Sequence, residues 1–248
     1  MKRETMFTSP LARKLALPAL AALSTTLLMG CPSMPMMTTA KTIGDGKNQV
    51  TISPGVVGFS GSVFGSTGSD STGGVGTLVV PDLMLAYRRG IGDRFDLGVG
   101  LSGFGKFSVD GKINFIGNGK DDKFALAIDP TFGGVILGVG SVGAGYLDYG
   151  LPLLLDLAPT AWFRATLAPR YRGNFIFAAA KGESESEVLH YFGSGLGAEF
   201  IVSDMVALQP HAAFDVLLNP PSYQDANGVE VSSSAVAITG GLAIKLNF

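Results

Sequence analysis

From Gln49 to the end of the chain, apolar and polar residues alternate with period two, and turn residues break the alternation at regular intervals. In "FDLGVGLS", Phe95, Leu97, Val99 and Leu101 share one face, and Asp96, Gly98, Gly100 and Ser102 the other. "FSVDGKINF" sets Phe107, Val109, Ile113 and Phe115 against Ser108, Asp110, Lys112 and Asn114. "VALQPHAAFDV" and the closing "AVAITGGLAIKLNF" repeat the pattern, and no stretch sustains a helical period. The spacing predicts strands near residues 48–60, 77–89, 94–103, 106–116, 123–137, 143–157, 161–177, 188–202, 205–217 and 234–248.

Two all-β architectures produce such strands. A soluble sandwich turns the apolar face inward, whereas a membrane barrel turns it to lipid and the polar face to a lumen. The polar face here is mostly Gly, Ser and Ala with single charges, which suits the crowded interior of a small closed barrel. Connections alternate in length. "GIGDR", "GNGKDD", "APT" and "SDM" are tight, while residues 64–76, 181–187 and 219–234 read as long polar loops, although the connections near 103–106 and 138–143 are short. Short turns at one rim and long loops at the other belong to outer-membrane barrels. The expected fold is therefore a closed antiparallel transmembrane barrel of about ten strands, with eight or twelve as alternatives. A strand of about ten residues tilted at ~45° covers roughly 23 Å, matching the apolar band. Tyr87, Phe95, Phe115, Phe124, Tyr149, Phe163, Tyr171 and Phe200 fall where interfacial aromatic girdles would lie.

Composition agrees. Charged residues make up 15% of the chain, it holds 35 glycines, and mean hydropathy is +0.35. Eighteen basic residues are dispersed among 20 acidic ones, so no nucleic-acid surface is expected. The first thirty residues carry Lys2, Arg3, Arg13 and Lys14 before the apolar "LALPALAALSTTLLMG", which reads as a cleaved export signal over 1–30. Its removal leaves 14 basic and 19 acidic residues, a net charge of −5. Residues 31–47, rich in Thr, Gly and Pro, read as a flexible tether, and 48–248 as the barrel.

Cys31 is the lone cysteine and follows Gly30, so it has no partner for an internal disulfide and no thiol or histidine cluster that would make it a metal ligand. "LMGC" (Leu28 to Cys31) resembles the bacterial lipobox, with Met29 where a small or β-branched residue is usual. The resemblance implies lipidation at Cys31. Pro32, rather than an aspartate, follows it, which implies transfer to the outer membrane. "AITGGLAIKLNF" resembles the last strand of bacterial outer-membrane β-barrel proteins. That resemblance implies a porin-like small barrel in outer-membrane lipid, with the strand ending at Phe248 read by the assembly machinery.

On this phasing the lumen receives Asp82, Arg88, Asp96, Asp110, Lys112, Asp129, Asp148, Asp156, Arg164, Arg170, Arg172, Glu199, His211, Asp215 and Lys245. Eight acids face six bases and one histidine, which predicts an internal ion-pair network, with a narrow small-solute path as the other reading. The candidate cluster is Asp148, Asp156, Arg164, Arg170, Arg172, Glu199, His211 and Asp215. "WFRATLAPRYR" lines up Arg164, Arg170 and Arg172, expected either to pair with Asp148 and Asp156 of the preceding strand or to form an anion-attracting constriction. Neither His190, beside Glu185, Ser186 and Glu187, nor His211, four residues from Asp215, matches a hydrolase motif. No cofactor or metal site is expected, and no catalytic residue. The expected role is a non-enzymatic outer-membrane barrel lipoprotein serving envelope structure, surface contact or restricted passage. A periplasm-facing lipid-anchored sandwich or lipocalin-like binder is the first alternative, and a barrel enzyme acting on lipid or peptide the second.

Overall fold

A computed structural model describes residues 38–61, 76–103, 105–119, 121–139, 142–180, 183–219, 222–224, 230–232 and 235–248. The export signal and Cys31 lie outside the described residues, as does almost all of the expected loop at 64–76.

The strands are β1 (Asn48–Gly61), β2 (Gly76–Gly90), β3 (Phe95–Ser102), β4 (Phe107–Ile116), β5 (Phe124–Ile128), β6 (Thr131–Val139), β7 (Val142–Thr160), β8 (Phe163–Ala180), β9 (Glu183–Ile201), β10 (Val206–Leu217) and β13 (Ala235–Asn247), with a small hairpin of β11 (Ser222–Gln224) and β12 (Glu230–Ser232) in the last long loop. Every pairing is antiparallel. β5 and β6 lie end to end between β4 and β7, parted at Asp129 and Pro130, because proline has no N–H to give the ladder. Counted as one stave, they make a ten-stranded barrel that closes where β1 pairs with β13. At that seam Phe248 and Asn48 exchange both backbone bonds, at 2.8 and 2.9 Å. A closed ladder leaves no edge unpaired in hydrocarbon, where each orphan group costs several kcal/mol.

Exposure follows the alternation with the polarity of a membrane protein. In β3, Leu97, Val99 and Leu101 are exposed, while Asp96, Gly98, Gly100 and Ser102 are buried. Tyr87, Phe115, Phe124, Tyr149, Tyr171 and Phe200 all lie on the outer face. Trp162, in the turn before β8, stacks on Phe200 at 6.4 Å, and Phe163 tilts against Phe200 at 5.3 Å, forming an aromatic cluster at the tight-turn rim. A sandwich or lipocalin would bury these residues and expose the charges, so that alternative is excluded.

Two expectations change. Residues 183–187 are not a loop but the first turnward part of β9, whose backbone pairs with β8 as far as Ala180↔Glu183. The three staves β7, β8 and β9 run 19, 18 and 19 residues, and at ~3.3 Å per residue and ~45° tilt they outreach an apolar band of about 25 Å. The second change concerns the N-terminal segment, which from Thr38 onward is seated in the barrel mouth instead of hanging free as a tether.

Candidate functional site: a charge-locked lumen with a seated strap

Residues 38–43 enter the mouth at the tight-turn rim. Ala40 N–H donates to Asp156 Oδ2 at 2.8 Å and Lys41 N–H to the same oxygen at 3.3 Å. Lys112 Nζ donates to Lys41 O at 2.6 Å, Thr39 O at 3.1 Å and Thr38 Oγ1 at 3.3 Å, and Asn114 Nδ2 donates to Ala40 O at 2.9 Å. The Ala40 methyl packs among Ala125, Ala127, Leu154 and Ala168, a small apolar seat in the lumen. Lys41 Nζ caps the β4–β5 turn through Gly119 O at 2.7 Å and Asp122 O at 2.8 Å. Thr42 and Ile43 then cross the rim, bonding Asn118 and Asp96. Gly44 and Gly46, with φ of +98° and +69°, turn the chain into β1, a conformation a side chain would strain. Burial, then the Arg164 charge, hold the Lys41 ammonium below its ordinary value of 10.5.

The fifteen residues expected in the lumen all take the inward face. Fourteen are buried, and Arg164 is partly so. Thirteen of them form four ion-paired groups, one of which Lys106 joins. Arg88 bridges Asp110 and Asp129, and Lys112 pairs with Asp96 at 2.8 Å. Arg164 reaches Glu199 at 2.7 Å and Asp156 at 3.7 Å, and Glu199 also accepts from Lys245 at 2.7 Å. Arg170 holds Asp215 with both prongs at 2.7 and 2.6 Å, Arg172 shares Asp215 at 3.1 Å, and Lys106 takes Asp148 at 2.7 Å.

The arginine strip of β8 thus pairs chiefly with β9 and β10. Asp156 and Asp148 on β7 are distant secondary partners at 3.7 and 3.9 Å. The reason is glycine. Arg170, Gly193 and Asp215 stand directly opposite one another on β8, β9 and β10, so the guanidinium crosses a bare backbone to the carboxylate two strands away. Arg88, Gly98 and Asp110 repeat this on β2, β3 and β4. A Cβ at Gly98 or Gly193 would collide with the acid. Nearest-neighbour reasoning could not foresee this, but a base, a glycine and an acid at one register are all visible in the sequence once the register is known.

The two histidines lie on opposite faces of the barrel wall. His211 Nδ1 lies 3.2 Å from Gln209 O, and Asp215 is committed to two arginines. His190 is on the outer wall, where its Nδ1 lies 2.6 Å from Tyr171 Oη and its ring stacks on Tyr171 at 5.9 Å. Glu187 points to the opposite face. Among the described residues no cluster of three or more His, Cys, Asp or Glu could hold a metal. Sequence reasoning missed Lys106, Lys41 and Asn114 as network members. Lys106 lies in a connection, Lys41 in the segment read as a tether, and Asn114 carries no charge.

No protein-family model matches the chain. No curated protein matches it either. Solved structures do. Neisserial surface protein A is similar at 11% identity over 80% of this chain and 97% of that one, with a TM-score of 0.37. The outer membrane protease OmpT of Escherichia coli is similar at 8% identity over 86% and 100%, with a TM-score of 0.46. The outer membrane protein OprG of Pseudomonas aeruginosa is similar at 12% identity over 84% and 99%, with a TM-score of 0.37. At such identities and scores the likeness transfers neither activity nor ligand to this chain.

Proposed function

We propose that this chain is an integral protein of a bacterial outer membrane, exported by its N-terminal signal, lipidated at Cys31 and inserted through the strand ending at Phe248. It serves envelope structure and surface contact as a non-enzymatic barrel, not as an open pore. One observation carries this reading: the strap over 38–43 occupies one mouth while paired charges fill the lumen behind it. Ten strands enclose little more than their own side chains. The β11–β12 hairpin of the last long loop is the part of the chain that would meet a partner. The outward apolar faces and the aromatic rim support the membrane assignment.

The test is fractionation of cells expressing the full chain, combined with labelling by a fatty-acid analogue. The protein is expected in the outer-membrane fraction, labelled in wild type and unlabelled in Cys31→Ala, and faster on a denaturing gel before boiling than after. A soluble, unlabelled product whose migration is indifferent to boiling would overturn the reading.

A further inference from the structure

We propose that the tight-turn mouth is a binding site for a short linear peptide in which a small residue precedes a lysine, supplied by a second polypeptide, with residues 39–43 as its resident occupant. The wall reads main chain. The N–H groups of Ala40 and Lys41 donate to Asp156, that of Thr42 to Asn118 Oδ1 at 2.8 Å, and that of Ile43 to Asp96 at 3.3 Å. The carbonyls of Thr39 and Lys41 accept from Lys112, and that of Ala40 from Asn114. Four N–H groups and three carbonyls are thus met by side chains, outside any β-ladder. A segment serving only to connect would leave these groups to water.

Two positions are also read by side chain. Ala40 is fully buried against Ala125, Ala127, Leu154 and Ala168, a close-packed seat that takes a methyl and not a longer group. The Lys41 ammonium donates to Gly119 O at 2.7 Å and Asp122 O at 2.8 Å, two carbonyls that would repel a carboxylate. Thr39 and Thr42 add hydroxyl contacts, to Arg164 at 3.3 Å and to Asp93 O at 2.9 Å. The ligand pattern is therefore small–Lys between hydroxyl residues, bent at the two central positions as Ala40 and Lys41 are.

The seat is built by the barrel and survives loss of its occupant. Lys112 keeps Asp96 at 2.8 Å, Arg164 keeps Glu199 at 2.7 Å, Asp156 keeps Thr166 Oγ1 at 2.7 Å, and Asn114 Nδ2 keeps Ile116 O at 3.1 Å. The barrel is complete without the strap, since β1 begins at Asn48 and closes on β13. Gly46 N–H donates to Gly90 O at 3.2 Å and Gly90 N–H to Lys47 O at 3.0 Å, so the turn at 44–47 stays fixed to β2 while 38–43 lifts out. The strap is held chiefly by hydrogen bonds, which a peptide of the same pattern reproduces one for one. The site depends only on the barrel wall, not on lipidation or membrane location, so its failure is distinct from theirs.

The experiment is fluorescence anisotropy of a labelled hexapeptide, Thr-Thr-Ala-Lys-Thr-Ile, titrated with the full-length protein in detergent micelles. Two variants free the seat: Ala40→Trp, whose side chain does not fit it, and Lys41→Glu, whose carboxylate meets two carbonyls. Saturable binding is expected to both, and binding weaker by about tenfold or more in wild type, where the tethered strap competes at an effective concentration on the order of millimolar. Replacing the peptide's alanine by tryptophan, or its lysine by glutamate, should abolish binding. Adding Asp156→Ala to Ala40→Trp should weaken it about tenfold to a hundredfold, the scale of hydrogen bonds to a charged group. Folding is checked by the gel shift on boiling, and if an altered barrel does not fold, the remaining strap variant and the altered peptides decide. No saturable binding to a folded strap variant, equal affinity in wild type, or indifference to the peptide's alanine and lysine would overturn the proposal.

Discussion

Asp156→Ala should release the strap without opening the barrel. The Asp156 carboxylate is fully buried, and Oδ2 accepts from Ala40 N–H at 2.8 Å and from Lys41 N–H at 3.3 Å. Oδ1 accepts from Thr166 Oγ1 at 2.7 Å, an interaction internal to the wall. A hydrogen bond to a charged group contributes about 1.5–3 kcal/mol, and the longer one sits at the low end, so docking weakens by roughly 3 kcal/mol. At about 1.4 kcal/mol per tenfold, the released fraction rises on the order of a hundredfold. Arg164 does not become an orphan, because Glu199 holds it at 2.7 Å. Bonds from Lys112 and Asn114 to the strap carbonyls remain, so the strap becomes dynamic while keeping its seat. Hydrogen exchange followed by mass spectrometry reads this directly, since amide protection reports the local opening free energy. The peptide holding Ala40 and Lys41 should exchange on the order of a hundredfold faster in the variant, and peptides from β8 and β9 at the wild-type rate. Unchanged exchange in the strap, or equal acceleration throughout the barrel, would refute the reasoning.

Two further perturbations probe the same interior. Gly98→Val should drive the Asp110 carboxylate away from Arg88, leaving a buried charge unpaired at about 3–5 kcal/mol, read as a lowered denaturation midpoint in detergent; an unchanged midpoint would contradict the glycine-gap account. Lys41 is held below 10.5 when docked, so between its lowered value and 10.5 the docked strap binds fewer protons than the released one. Docking should therefore strengthen as pH rises through that alkaline window, seen as slower strap exchange relative to β8 after correction for intrinsic rates, and Lys41→Met should lose the dependence.

The staves were legible because each buries one face, so a one-residue slip would put Asp96 or Lys112 into lipid. The inward phase of the lumen charges follows from the same constraint. What the sequence hides is reach across strands. Arg170 finds Asp215 only because Gly193 leaves the intervening backbone bare, and no local pattern says which strands are two apart in a closed ring. The strap was hidden for another reason. "TTAKTIGDG" has no period and resembles a linker, and its seat is assembled from Lys112, Asn114, Asp156 and small alanines on four separate staves. Likewise "KGESESE" reads as a polar loop, yet its ladder with β8 makes residues 183–187 strand. Polar strand extensions beyond an apolar band carry no hydrophobic alternation to announce them.

The central claim is that the barrel is closed by its own filling. Single-channel recording of the purified full-length protein in a planar bilayer tests it most directly. No steady conductance of general-porin size is expected in wild type. A stable porin-sized conductance would contradict it, because neither the seated strap nor the paired lumen charges could then lie across the path.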